Sequence, residues 1–171
     1  RWAYTFQSYA FVSRVLSQQE HAKVNTHTVQ ILERSVFSDR YCFAKNAYEL
    51  GYMNALEWKL YQEWFDWLLD ANVVQPAGFI YMQVDPQVCY DRLRKRSRNE
   101  EATVSLDYIQ RLADKHENWL IDKKDISKKL MNVPVLTLPC NIDFENNKAE
   151  QERHVEEVGA FVLSLDPAAF S

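Results

Sequence analysis

Residues 78–89 read GFIYMQVDPQVC, and their reading decides the fold. Gly78 to Val84 form a short continuous apolar run, the pattern of a strand buried on both faces. Asp85 then offers a helix N-cap, and Pro86 takes the first helical position, where its missing N–H costs nothing. Strand followed at once by helix is half of a βαβ unit. Upstream, Thr28 to Leu32 is a β-branched and apolar run that predicts a first strand; downstream, Val133 to Leu138, entered through Pro134, predicts a third. Helices fall between and around them. Residues 1–20 carry Trp2, Phe6, Tyr9 and Leu16 at helical spacing, and the polar stretch 17–27 reads as a loop. A helix is predicted from Ser38 to Leu50, with Ser38 or Asp39 as cap and Gly51 as stop. Asn54 to Leu69 is helical and apolar nearly all round, a core helix or half of an interface. The helix begun at Pro86 runs into the basic stretch Arg92–Arg98 and ends near Asn99-Glu100-Glu101. Ser105 caps the next, whose Leu106, Ile109, Leu112, His116 and Trp119 share a face, and Glu145 to Leu165 closes the chain. Apolar strands separated by helices predict an α/β fold with a parallel sheet, in a single domain over 1–171. Three strands are few for this much helix, so the visible sheet reads as incomplete.

Composition narrows the chemistry. Only three of the 171 residues are glycine (Gly51, Gly78, Gly159), about a quarter of the average share. They are too far apart to build a glycine-rich phosphate loop, which excludes a self-contained one within these residues. A chain that is 47% hydrophobic and 13% aromatic is not disordered, yet no apolar run is long enough to span a membrane. The net charge of −4 gives no reason to expect nucleic acid as a partner. Cys42, Cys89 and Cys140 are odd in number and widely spaced, which suits a reducing, intracellular compartment. Because the sequence opens on Arg1, mitochondrion and cytoplasm both stay open.

Ligands of open parallel sheets bind beyond the carboxyl ends of the strands. The predicted first strand ends in Glu33-Arg34-Ser35, with Asp39 and Arg40 following, a plausible metal and phosphate site or else a salt bridge with helix capping. Arg92 and Arg96 are four apart and share a helix face, with Arg98 beyond them. Such guanidiniums match phosphate oxygens in geometry, although a run of charge is also what a solvated face looks like. Glu100 and Glu101 offset any nonspecific affinity for DNA. Gln7 and Arg14 lie two turns apart on one side of the first helix, beside Phe6. An amide, a guanidinium and a ring suit a flat heterocycle, and they are also ordinary helix residues. No histidine pairs with cysteine at zinc-site spacing.

Taken in order, RWAYTFQSYAFVSR (1–14), ERSVFSDRYCFAKN (33–46), GFIYMQVDPQVC (78–89), RLRKRSRNEE (92–101) and the HENWL from His116 resemble the deoxynucleoside kinase family. The likeness covers nearly the whole chain and is greatest to the deoxycytidine and deoxyguanosine kinase branch, the latter especially in MNVPVLTL (131–138). It implies transfer of the γ-phosphate of ATP to the 5′-hydroxyl of a deoxynucleoside, with Mg²⁺. It also implies roles. Phe6 lies beside Gln7, which would bond the edge of the base, and Phe43 would stack on its face. Arg14 and Asp39 would pair and read the ring's polar groups, favouring deoxyguanosine, deoxyadenosine or deoxycytidine over thymidine. A buried pair left unmatched would cost ~3–5 kcal/mol. Arg34 would hold the 5′-hydroxyl and incoming phosphate, Glu33 would help place Mg²⁺ through water, and Glu101 would bond the sugar 3′-hydroxyl. Arg92, Arg96 and Arg98 would form a lid over the ATP phosphates, and Asp143 with Phe144 would flank the donor's base.

The family pattern begins with a strand, a glycine-rich phosphate loop and a second strand followed by a glutamate base. Residues 1–171 contain none of these, so the sheet would lack its N-terminal strands. The expectation is an N-terminally truncated, P-loop-kinase-like chain, inactive and marginally stable alone. Family members dimerise through helices, which predicts a homodimer. The competing readings are a non-catalytic, kinase-like structural subunit and a nucleic-acid-binding module built on Arg92–Arg98.

Overall fold

The computed structural model describes residues 2–22, 29–72 and 74–165. Their contacts gather into two compact units, Arg1–Gln75 and Pro76–Ser171.

The first unit is helical. Helix α1 (Ala3–Ala22) runs further than expected, through part of the stretch read as a loop. Gln18, Gln19 and Glu20 are good helix formers, and no glycine or proline interrupts them. Phe11 and Val15 are its buried side, while Trp2, Phe6, Tyr9, Val12 and Leu16 are exposed. Residues 23–28, which include the rest of that predicted loop and Thr28, lie outside the described residues. The predicted first strand does not form over 29–32, where Val29, Ile31 and Leu32 are exposed. A strand persists only as part of a ladder, and among the described residues nothing pairs with this segment.

The next helix starts earlier than the sequence suggested. Ser35, not Ser38 or Asp39, is its cap. Ser38 N–H donates to Ser35 Oγ at 3.3 Å, and Ser35 N–H donates to Ser38 Oγ at 3.1 Å, a closed capping box. From α2 (Val36–Ser38) the chain widens into a π-helical stretch (Asp39–Ala44), then returns to α-helix in α3 (Lys45–Glu49). Gly51, at φ 76°, ends it as expected. Helix α4 (Ala55–Asn72) opens on a second reciprocal box between Asn54 and Glu57, at 2.8 and 2.9 Å. It buries Tyr61, Phe65 and Leu69 and exposes Leu56, Leu60, Trp64 and Trp67. Phe65 centres the core, with Phe11 at 5.5 Å, Tyr41 at 6.1 Å and Phe37 at 6.2 Å between ring centroids.

The second unit is the α/β part. Strand β1 (Phe79–Gln83) pairs in parallel with β2 (Val135–Pro139), Phe79 opposite Val135 and Gln83 opposite Pro139. Helices α5 (Pro86–Arg96) and α6 (Leu106–His116) make the crossover, and α6 continues as a π-helical stretch (Glu117–Ile121). Asp85 caps α5 by accepting from Gln87 N–H at 2.8 Å, with Pro86 at the first position, and Ser105 caps α6 through Tyr108 N–H at 3.2 Å. Both are as the sequence predicts. Helix α5 stops at Ser97, which turns left-handed at φ 52°. The closing helix α7 (Lys148–Ser164) begins at an Asn147 cap, later than the Glu145 expected. Full burial of β1 is not realised: Tyr81 is buried, but Met82 is half exposed. Gly78 is required by contact rather than by its dihedrals, since a Cβ there would stand 2.7 Å from the Phe161 ring of α7.

Candidate functional site

In the first unit the π-helical stretch carries two of the predicted site residues, Asp39 and Phe43. A π turn inserts an extra residue and re-aims the side chains around it, which is why such turns recur at functional sites. Asp39 is buried, and Arg14 of α1 donates from Nε to its Oδ2 at 2.5 Å. The side chain of Asp39 is 5% exposed, whereas that of Arg14 keeps 32%, so the pair has a buried end and an open one. Burial pushes the Asp39 carboxyl above its ordinary pKa, opposed by the charges of Arg14 and Arg34. The expectation of a wholly buried pair is therefore corrected at Arg14.

Arg34 has φ 59°, a left-handed conformation that a long side chain rarely adopts, and its guanidinium lies over the Phe43 ring at 5.0 Å. Glu33 is exposed beside it. Gln7, Phe11 and Arg14 follow one another at helical spacing on α1, with Phe11 in the core and Gln7 half-buried; Phe6 is exposed. The structure thus gathers Arg14, Asp39, Arg34 and Phe43.

Two further residues neighbour this group: Arg40, which the sequence placed just beyond the predicted first strand, and Tyr61, which left no signal there. The guanidinium of Arg40 sits on the Trp58 ring at 4.4 Å, and burial lowers its pKa. The Tyr61 hydroxyl is buried without a hydrogen-bond partner, and burial together with the Asp39 charge raises its pKa well above the usual phenol value.

In the second unit the lid candidates are occupied. Arg96 grips Glu101, NH2 to Oε1 at 2.6 Å and Nε to Oε2 at 3.3 Å, and Arg98 stands 4.0 Å from the same carboxylate. The residues assigned to phosphate and to the sugar 3′-hydroxyl thus meet directly. Arg92 points elsewhere, to the carbonyls of Cys140, Asn141 and Ile142. Asp143 is exposed and accepts from Glu145 N–H at 3.0 Å, while Phe144 meets the His154 ring edge-on at 5.4 Å. On the inner side of β1, Glu117 accepts from Tyr81 Oη at 2.9 Å and Gln83 Nε2 at 2.7 Å. His116 stacks on Tyr81 and holds its Nδ1 2.7 Å from the Leu112 carbonyl, a satisfied packing residue. Among the described residues no cluster of three His, Cys, Asp or Glu could cage a metal. A lone exposed Glu33 fits instead an ion held by one carboxylate, waters and substrate phosphates, the usual habit of Mg²⁺.

The sequence profile of the deoxynucleoside kinases matches residues 1–163. The chain belongs to the deoxynucleoside kinase family. Among its relatives, Deoxycytidine kinase 2 of Gallus gallus is 44% identical, with 96% of this chain and 65% of that protein aligned. The mitochondrial Deoxyguanosine kinase of Xenopus laevis is likewise 44% identical over the same shares. The Deoxycytidine kinase of Homo sapiens is 41% identical, again over 96% and 65%. The chain thus spans 65% of the length of these relatives. The two-stranded parallel sheet flanked by helices is consistent with a deoxynucleoside kinase fold. No helix among the described residues is long and apolar enough to cross a membrane.

Proposed function

We propose that the protein acts in nucleoside salvage, transferring the γ-phosphate of ATP to the 5′-hydroxyl of deoxycytidine, deoxyguanosine or deoxyadenosine, with residues 1–171 acting as one domain. The observation that carries this reading is the Arg14–Asp39 pair, with its carboxylate buried and its guanidinium open. A fixed acceptor beside a fixed fork of donors suits the polar edge of a base, and the preference for cytosine or a purine over thymine follows from the family resemblance. Gln7 shares the Arg14 side of α1 and adds an amide for the base edge, with Phe6 next to it. Phe43 supplies the face on which the base stacks. The names of the relatives, deoxycytidine and deoxyguanosine kinases, support the acceptor class.

Arg34 would hold the 5′-hydroxyl and the incoming phosphate. Its left-handed backbone is a local strain of the kind that persists where surrounding structure demands one side-chain direction. Glu33 is the carboxylate placed to hold Mg²⁺ through water, and the ion when bound would neutralise charge on the phosphates. Glu101 would take the sugar 3′-hydroxyl, Arg96 and Arg98 the phosphates, and Asp143 with Phe144 the donor's base. Chemistry of this kind needs little covalent help, since positioning and charge stabilisation supply most of the acceleration.

Assay of the four deoxynucleosides with ATP and Mg²⁺ tests the proposal. Because Arg14 reaches solvent, a mismatch costs less than a fully buried pair would. The kcat/KM for thymidine should fall ten- to a hundredfold below that for deoxycytidine, from about 1–3 kcal/mol of unmet hydrogen bonding. In the full-length protein a preference for thymidine would sink the Arg14–Asp39 assignment, and phosphorylation of none of the four would sink the function; residues 1–171 by themselves are expected to phosphorylate none of them. We further propose a homodimer through helices, supported by the exposed Leu56, Leu60, Trp64 and Trp67 stripe of α4, and an intracellular site of action, mitochondrial or cytoplasmic.

A further inference from the structure

We propose that Ser97 is a phosphorylation site for an arginine-directed protein kinase, and that its phosphate takes Arg96 and Arg98 away from Glu101. The site owes nothing to the nucleoside kinase reading above; only its effect on that activity rests there. Ser97 stands in Arg94-Lys95-Arg96-Ser97-Arg98, four cations around one hydroxyl. Protein kinases of the arginine-directed class choose acceptors by charge, setting carboxylates against basic residues just before the serine. Here arginines lie three residues and one residue before it.

Access favours the same serine. Ser97 is exposed, and it ends α5 in the left-handed turn at φ 52°. Its N–H donates to the Leu93 carbonyl at 3.2 Å and its Oγ to that of Arg94 at 2.7 Å. The last turn of a helix frays, which lets such a segment enter a kinase cleft in extended form. Ser127, which lysines flank, suits the chemistry less. It is partly buried, and Asp125 stands two residues before it.

The step forms a bond from Ser97 Oγ to the γ-phosphorus of ATP and breaks the bond from that phosphorus to the β–γ bridging oxygen. The hydroxyl proton passes to a base of the protein kinase, and ADP leaves. The product brings a charge of about −1.5 to −2 and three acceptor oxygens. It has also lost the Oγ–H that held the Arg94 carbonyl. At the negative end of α5 such a group needs cations, and they are at hand. Arg96 holds Glu101 at 2.6 Å, and Arg98 lies 4.0 Å from the same carboxylate. A phosphate dianion attracts both guanidiniums more strongly than a carboxylate does. In the nucleoside kinase those two arginines serve the substrate phosphates, so the modified serine blocks them from within the chain.

The full-length protein, treated with an arginine-directed protein kinase and ATP, should gain one phosphate that peptide mass spectrometry maps to Ser97. Ser97→Gly, which suits the left-handed turn, should gain none. Arg94→Gln should be modified about tenfold more slowly. No incorporation, or incorporation at Ser127 instead, would overturn the site. A ³¹P titration reads the contact with the arginines. The second ionisation of the phosphoserine should fall below the usual value of about 6 and return toward it in Arg96→Gln. An ordinary value in the wild type would overturn the exchange of Glu101 for phosphate. Modification should lower kcat/KM with ATP about tenfold, and the same treatment should leave Ser97→Gly unchanged. Modification without a change of rate would overturn the block. If the unmodified protein phosphorylates no nucleoside, the nucleoside kinase reading falls, and mapping and titration still decide the site.

Discussion

Asp39 illustrates how two opposing forces on one residue can be weighed. Burial raises its pKa and the Arg14 and Arg34 charges lower it, with burial the larger. The native state then holds the proton more tightly than the unfolded chain. That contribution to stability is complete below the unfolded value of 3.8 and is lost as pH climbs through the raised one. Asp39→Asn does not titrate there. Its stability relative to wild type should therefore be greater at neutral pH than near pH 4 in paired denaturant melts; the reverse slope would mean that Arg14 outweighs burial. Tyr61 poses a simpler case. Its hydroxyl is buried and unpartnered, so Tyr61→Phe removes a desolvation cost with little change of shape. Denaturation should find the variant as stable as wild type or about 1 kcal/mol more so. Asp39 reads in sequence as a helix cap or as part of a site beyond the predicted strand, whereas Tyr61 reads only as one aromatic among many.

At the level of helices and strands, sequence reading succeeded where the signal is local. Asp85-Pro86 and Ser105 start their helices because capping is decided within four residues. It placed the second helix too late because Ser35 and Ser38 are both plausible caps. Only their reciprocal hydrogen bonds choose between them. Ser35→Ala should cost about 1 kcal/mol in chemical denaturation, the usual worth of an N-cap. The π-helical stretch under Asp39 and Phe43 was invisible, since no propensity distinguishes a π turn from an α turn. The predicted strand at 28–32 failed over its described part for the opposite reason: β-propensity describes fitness for a paired, half-buried surface, and the pairing is missing. Gly78 belongs here too. Gly78→Ala drives a methyl into the Phe161 ring and should destabilise by about 1–3 kcal/mol, measured by the same melts.

For the molecule as a whole, the exposed apolar stripe of α4 has a consequence that can be measured. If it is a dimer interface, sedimentation of the protein should give a dimer, and Trp64→Lys should shift it toward monomer at micromolar concentration. A monomeric wild type would refute the dimer. The order of residues alone was enough to establish the α/β class, the βα unit at 78–96, the helix caps that depend on near neighbours, and, through motif order, the family. The scarcity of glycine likewise excluded a self-contained phosphate loop within these residues. It took the folded chain to show that Arg14 and Asp39, 25 residues apart, make one ion pair with one end open. The same holds for Arg96 closed on Glu101 and Arg92 turned to the 140–142 carbonyls, two fates for arginines on one helix. The reason is physical: periodicity and capping are set by atoms a few residues apart, whereas a guanidinium goes to whichever acceptor the fold brings within about 3 Å.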